Sequence, residues 1–306
     1  MAINTLQMAQ NFQTLLDQQM VVGATSGFME VNAGQIKYNG GDIVKIPTLS
    51  VDGLANYDRD NGYNRGGVSL KFEDFKLTQD RGRKFLLDSM DVDETNFLAT
   101  GTNVMTAFQR EQVIPEVDAY RYSKVAAYAT RESRKTDAFT PDNTNIIKQL
   151  NKEVMEIEDL IGETGDLVIV MSARVQGILN EAAGAKGLLD VANFTQGAYN
   201  TRVRTYNEIP IIGVPSARMK SQYVFNDGTT SGQEKGGFKA DTGAKAINWI
   251  IMSRAAAIAV SKTDNMRIFD PNTTQQANAW SIDYRKFHDV WVPKNRLASV
   301  WANFGA

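Results

Sequence analysis

The sequence predicts an α+β fold. Three observations carry that expectation: amphipathic helical stretches in the middle of the 306 residues, a near-continuous apolar run of strand type between two of them, and a carboxyl-terminal region of alternating strands. The chain is long enough to bury a full core, as one large domain or two modest ones.

Residues 1–20 set Leu6, Phe12, Leu15, Leu16 and Met20 among Gln and Asn, the pattern of a short helix that can dock elsewhere as an arm. Glycines then recur from Gly23 to Gly41, and Asn39-Gly40-Gly41 marks a turn. Ile43 to Leu49 and Val68 to Gln79 have strand character, the second alternating Val68, Leu70, Phe72 with Ser69, Lys71, Glu73. Between them SVDGLANYDRDNGYNRGG packs DG, NG and GG turn dipeptides among Asp, Arg, Asn and Tyr, so it cannot form core. The result is a long hairpin with a polar, glycine-rich tip. A two-stranded ribbon is marginal alone in water, so the hairpin is expected to lie on a neighbouring subunit. From Asp42 to Asp91 there are eight Lys plus Arg and nine Asp plus Glu, a balance that suits polar contact better than a nucleic acid groove.

Asp91 to Glu94 supplies negative charge at a helix start. Phe97, Val104, Phe108, Ile114, Val117 and Val125 follow at helical spacing to about Tyr128, with a kink or break expected at Pro115. A second helix covers Thr144 to Leu160, stopped by Gly162 and Gly165. Asp166 to Met171 reads as a strand buried on both faces, and Ser172 begins a helix through Asn180. Ile209 to Pro215 and Gln222 to Phe225 read as short strands, and Asn226 to Gly243 as a flexible Gly-rich loop. The end is β-rich: Ile247 to Met252, Ala255 to Val260, Trp280 to Tyr284, Val290 to Val292 and Ser299 to Phe304.

Chemistry is mostly excluded. Cys is absent and His288 is the one histidine, which removes thiolate catalysis, disulfides, zinc ribbons and multi-His metal centres. There is no Gly-Lys dipeptide, hence no phosphate-cradling P-loop. The stretch Asn56 to Gly67 opens like a calcium loop but carries Gly67 where a bidentate Glu is required. His288 beside Asp289 reads as a surface or structural residue, because neighbours on a strand point to opposite faces. No catalytic, cofactor-binding or metal-binding residue is expected. With Lys plus Arg at 33 and Asp plus Glu at 35, strong attraction to nucleic acid is not expected either. The longest apolar run, Ile250 to Val260, is broken by Ser253 and Arg254, so no membrane partner is expected. The amino terminus lacks the pattern of a secretory signal.

The order of segments resembles the major capsid proteins of tailed phages and prophages of the Hong Kong 97 type, in particular those of Gram-positive hosts. The residues that carry the likeness are QIKYNGGDIVKIPTLSVDGLANYDRDNGY, KLTQDRGRKFLLDSMDVDETNF and QREQVIPEVDAYRYSKVA, followed by GDLVIVMSARVQGIL, IPIIGVPSARM and FHDVWVPKNR. The resemblance implies an amino-terminal arm (1–42), an extended E-loop (43–87), a P domain with a long spine helix (88–139), an A domain (140–249) and carboxyl-terminal strands returning to the P domain (250–306). It implies a non-enzymatic subunit of an icosahedral shell, self-assembled as pentamers and hexamers around double-stranded DNA without sequence-specific binding. Assembly would take place in the host cytoplasm and the product would be the virion. Tyr57, Asp58, Arg59, Asp60, Tyr63 and Arg65 at the E-loop tip would be subunit-interface residues.

The resemblance implies that members carrying their own scaffold have a long segment before the arm, whereas about 40 residues precede the hairpin here; a separate scaffolding protein is therefore expected, unless the chain is a processed form, along with a portal protein. Lys71 and Lys76 match no cross-linking motif, so assembly is expected to be non-covalent. The alternatives are an encapsulin-type compartment shell of the same fold and a soluble α/β enzyme using Lys or carboxylate residues.

Overall fold

A computed structural model describes residues 23–35, 43–57, 59–60, 62–88, 105–162, 166–184, 187–196, 199–274 and 278–306. The expected helix over 1–20 and the acidic helix start at Asp91 to Glu94 lie outside these residues.

A 3-10 segment, Gly27–Gln35, enters first and buries Phe28 and Met29. Strands β1 (Ile43–Val51) and β2 (Val68–Lys76) form the hairpin, with Val51 opposite Val68 and Ile43 opposite Lys76. The run expected as one strand to Gln79 stops at Lys76, and after Leu77 and Thr78 the chain starts β3 (Gln79–Asp88), which joins a different sheet. The long helix follows. Its described part passes through a π-helical turn, Gln109–Val113, into α1 (Ile114–Arg131). The interruption expected at Pro115 therefore takes the form of a widened turn immediately ahead of it, which accommodates a residue without an N–H near the start of α1.

After β4 (Lys135–Thr136), α2 (Ile146–Ile161) ends at Gly162, whose φ of 80° lies in the left-handed region. Then come β5 (Leu167–Ser172), α3 (Ala173–Gly184), β6 (Leu189–Gln196), β7 (Tyr199–Tyr206) and β8 (Ile209–Val214). β9 (Tyr223–Phe225) pairs with β10 (Phe238–Ala240), so the loop expected from Asn226 to Gly243 closes as a small hairpin. β11 (Ile247–Ser253), β12 (Ile258–Phe269), β13 (Ala279–Trp291) and β14 (Val300–Phe304) complete the chain. β12 runs well past the expected Val260, and β13 unites two segments expected as separate strands.

The main sheet is mixed and seven-stranded, in the order β4-β14-β11-β5-β8-β7-β6. The apolar run at Leu167 to Met171 dictates what covers it. Val168 and Val170 pack with Tyr122, Val125 and Ala129 of α1 on one face, while Leu167, Ile169 and Met171 pack with Leu150, Ile157 and Leu179 of α2 and α3 on the other. Every residue of β5 is buried, as a strand covered on both faces must be. A second sheet, β12-β13-β3, is antiparallel; Met266, Ile282 and Tyr284 on it meet Met105 and Phe108 of the long helix.

Glu153 of α2 is buried in this frame. Its carboxylate accepts hydrogen bonds from Thr136 Oγ1 (2.7 Å), Gln149 Nε2 (2.8 Å), Asn303 Nδ2 (2.6 Å) and Trp249 Nε1 (2.5 Å), tying α2 to β4, β11 and β14. Glu153→Ala leaves four donors without that acceptor and is expected to cost about 3–5 kcal/mol. The change is read as a lower urea midpoint at unchanged slope.

Candidate functional site: the projecting hairpin and its anchor

The β1–β2 ribbon pairs with no other strand among the described residues. Directly opposed residues share a face, so the register separates two surfaces. On one, Val44 and Ile46 are buried and join Leu77, Ile258, Val260 and Trp291, rooting the base in the second sheet. Further out this face is polar, with Thr48 opposite Lys71 and Ser50 opposite Ser69. The other surface carries the pairs Pro47/Phe72, Leu49/Leu70 and Val51/Val68 in succession toward the tip. All six are exposed: Leu49 at 63%, Leu70 at 58% and Phe72 at 55% are large apolar groups held in water. Single exposed apolar residues are ordinary, but a continuous strip marks a contact surface. The Lys45–Asp74 ion pair at its base, 3.8 Å and exposed on both sides, adds little.

At the tip the Asp52 carboxylate accepts from Gly67 N (2.6 Å) and Asp52 N donates to Gly67 O (3.1 Å), closing the loop. Tyr57 and Tyr63 meet edge to face with centroids 5.0 Å apart. Asn64 Nδ2 bonds Asn56 O at 2.8 Å. Arg59, Asp60 and Arg65 stand exposed, and Asp58 lies outside the described residues. The structure thus brings two of the expected interface residues together and leaves three facing solvent. Sequence reading missed the apolar strip. Its signal was present in the alternation Pro47, Leu49, Val51 against Val68, Leu70, Phe72, but which side it occupies depends on the register.

The corner where the ribbon meets β3 is pinned by a buried polar cluster. Asp289 accepts from Thr78 N (3.0 Å), Thr78 Oγ1 (2.9 Å) and Tyr120 OH (2.8 Å), and pairs with Lys124. Burial, reinforced by the Asp289 charge, pushes the Tyr120 phenol well above its ordinary range, so it remains a donor. His288 packs edge-on against Tyr120, with centroids 5.6 Å apart, and is buried, so of the surface and structural readings the surface one is excluded. Burial first, then the cations Arg121, Lys286, Lys124 and Arg81, drive its pKa well below 6.5. Folding therefore excludes a proton that the unfolded chain accepts near pH 6.5. Stability from this residue is complete above that pH and falls as pH drops, by about 1.4 kcal/mol per unit while the unfolded state alone is protonated. His288→Gln is expected to flatten the urea midpoint between about pH 7 and pH 5 relative to the parent chain.

Among the described residues there is no group of His, Cys, Asp and Glu able to hold a metal ion, and no helix long and apolar enough to cross a membrane.

Solved structures supply the comparison. The mature capsid of bacteriophage PhiM1 superposes with a TM-score of 0.54 at 13% identity, over 88% of this chain and 83% of that one. The capsid of Ralstonia phage GP4 gives 0.52 at 12% identity, over 87% and 83%. A chain of Gordonia phage Cozz gives 0.55 at 15% identity, over 87% and 81%. The chain shares its fold with phage capsid proteins. No family model and no curated protein matches the sequence.

Proposed function

We propose that the chain is the structural subunit of an icosahedral phage capsid of the Hong Kong 97 type, with no catalytic role. Copies assemble into pentamers and hexamers that enclose double-stranded DNA without sequence-specific binding. A separate scaffolding protein and a portal protein take part in assembly in the host cytoplasm, and the product is the virion shell. The observation that carries this reading is the continuous apolar strip on a ribbon that is packed only at its base and pairs with no other strand among the described residues, in a chain with the capsid-type fold. Burying one Val, Leu or Phe is worth about 1.5–3 kcal/mol, and a strip of six has no partner among the described residues of its own chain.

In this reading 43–87 is the E-loop, although residues 79–87 are already held in the second sheet by β13. The arm is 1–42, the P domain 88–139 with 250–306 returning to it, and the A domain 140–249. Tyr57, Asp58, Arg59, Asp60, Tyr63 and Arg65 form the far end of the contact. The near-zero charge fits a subunit packed in many copies, since strongly charged copies would repel one another and a strongly basic one would hold its DNA too tightly.

Electron microscopy of the purified chain, with and without its scaffolding protein, is expected to show shells, tubes or capsomers. A species that stays monomeric under every assembly condition contradicts the proposal.

A further inference from the structure

A cleft of about 650 Å³ opens where the second sheet, the long helix and the loop between β9 and β10 converge. Its floor is β3 against β13, with Arg81 opposite Lys286 and Arg83 opposite Tyr284. Its apolar end is aromatic: the Phe108 ring lies 5.0 Å from Phe85 and 5.9 Å from Tyr284. That volume falls in the range of sites that take organic ligands and exceeds what a single ion needs.

The charges around the cleft are mostly spoken for. Arg81 donates through Nε to Glu116 (2.7 Å) and through its terminal nitrogens to Asn226 O (2.7 Å) and Gly237 O (3.2 Å), clipping the loop to the helix. Lys286 pairs with Asp264, and Asp80 with Arg285. Asp227 caps its own loop by accepting from Thr229 N (2.9 Å) and Thr230 N (2.8 Å). Two exposed cations are left, Arg83 and Lys235. Neither has a carboxylate partner among the described residues, and Arg83 makes a single hydrogen bond of 3.3 Å, to Glu234 O. The loop turns beside Arg83 through Gly228 and Gly236, whose φ values of 77° and 69° lie in the left-handed region. Two buried polar atoms on residues bordering the cleft, His288 Nδ1 and Asn226 Oδ1, have no hydrogen-bond partner.

We propose that this cleft is a receptor for an acidic peptide segment of a partner protein, one that sets a carboxylate at the Arg83 and Lys235 rim and an apolar side chain against Phe85 and Phe108. Charge complementarity selects the acid, since Arg81, Arg83, Lys235 and Lys286 outnumber Asp80, Glu116 and Asp227 along the lining, and Arg83 and Lys235 are the cations without an ion-pair partner among the described residues. The aromatic end selects a peptide with an apolar side chain over duplex nucleic acid, whose bases are already stacked and whose outer surface is phosphate and sugar. The cleft is built within one chain, so its test is independent of whether the chain forms a shell.

The probe is a fluorescent, end-blocked peptide of sequence Asp-Phe-Asp-Leu-Glu, titrated by anisotropy with the unassembled full-length chain. The acidic peptide is expected to bind, and its amide counterpart Asn-Phe-Asn-Leu-Gln and a Phe-to-Ala version are expected to bind at least about tenfold more weakly. The double variant Arg83→Glu/Lys235→Glu alters two exposed side chains and is expected to keep its far-ultraviolet circular dichroism while losing the acidic peptide by a similar factor. Equal binding of the acidic and amide peptides overturns the proposal, as does undiminished binding by the double variant. A short DNA duplex that binds with the same dependence on Arg83 and Lys235 overturns it as well.

Discussion

Leu49→Asp/Leu70→Asp subunits are expected to fold normally and fail to assemble. The two side chains oppose each other on the outer face of the ribbon and are each more than half exposed in the single chain, so the loss of their mutual contact and the repulsion of the two aspartates fall on the ribbon itself and not on the cores of the two larger sheets. In an assembled contact each buried Leu contributes about 1.5–3 kcal/mol, and each aspartate brought to the same place adds the cost of desolvating an unpaired charge. The combined penalty exceeds about 5 kcal/mol per contact and recurs at every copy of a closed shell, where weak contacts act together. Unchanged thermal unfolding of the isolated subunit, together with loss of particles in sedimentation, is the expected pair of results. The matching change on the inner face, Ser50→Asp/Ser69→Asp, is expected to be much milder. Deleting residues 52–66 is likewise expected to leave a folded subunit that does not assemble.

Asp118→Ala is expected to destabilise the subunit as much as Glu153→Ala does, and to weaken assembly as well. Asp118 is fully buried on α1. It accepts from Thr25 N (3.2 Å), Thr25 Oγ1 (2.7 Å), Ser26 N (3.1 Å) and Ser26 Oγ (2.6 Å), and it pairs with Arg218 at 3.0 Å. It thereby ties the entry of the 3-10 segment to the long helix and to the turn after β8. That segment is fastened at its other end by Asn32, whose Nδ2 donates at 2.7 Å to both Arg254 O and Ala257 O. Its Ala33 packs against the apolar base of the hairpin. Removing the carboxylate leaves a part-buried guanidinium and four donors unpaired, a loss of about 3–5 kcal/mol. Asp118→Asn keeps one acceptor and is expected to fall between the two. Because the segment supports the hairpin's root, assembly is expected to weaken along with the urea midpoint.

How much of this was legible in the sequence follows from which residues carry one meaning and which carry two. Leu167 to Met171 could only be a strand covered on both faces, and the DG, NG and GG dipeptides could only be a reversal between two strands. β7 was missed because Tyr-Asn-Thr-Arg-Val-Arg-Thr-Tyr is polar at most positions, and its place is set by pairing with β6 and β8. β13 was split because Arg285 to Asp289 reads as a polar interruption. In three dimensions Lys286 finds Asp264, and Asp289 finds Thr78, Tyr120 and Lys124, so the strand runs on with its charges neutralised. Asp118 and Glu153 look like solvated helix positions until their distant donors are known. The hairpin tip was readable from turn chemistry, but the strip that makes the ribbon adhesive needed the register, which composition does not fix.

The absence of cysteine makes the central claim directly measurable. A single Leu70→Cys chain carries one thiol, on the outer face of the ribbon, and its rate of modification by a water-soluble maleimide reports whether that face is covered. In the unassembled subunit the thiol is expected to react at the rate of a free cysteine, and in assembled particles at least about tenfold more slowly, as a buried group does. Equal rates in subunit and particle would show the strip to be open in the shell, and would contradict the account of the hairpin as the subunit contact.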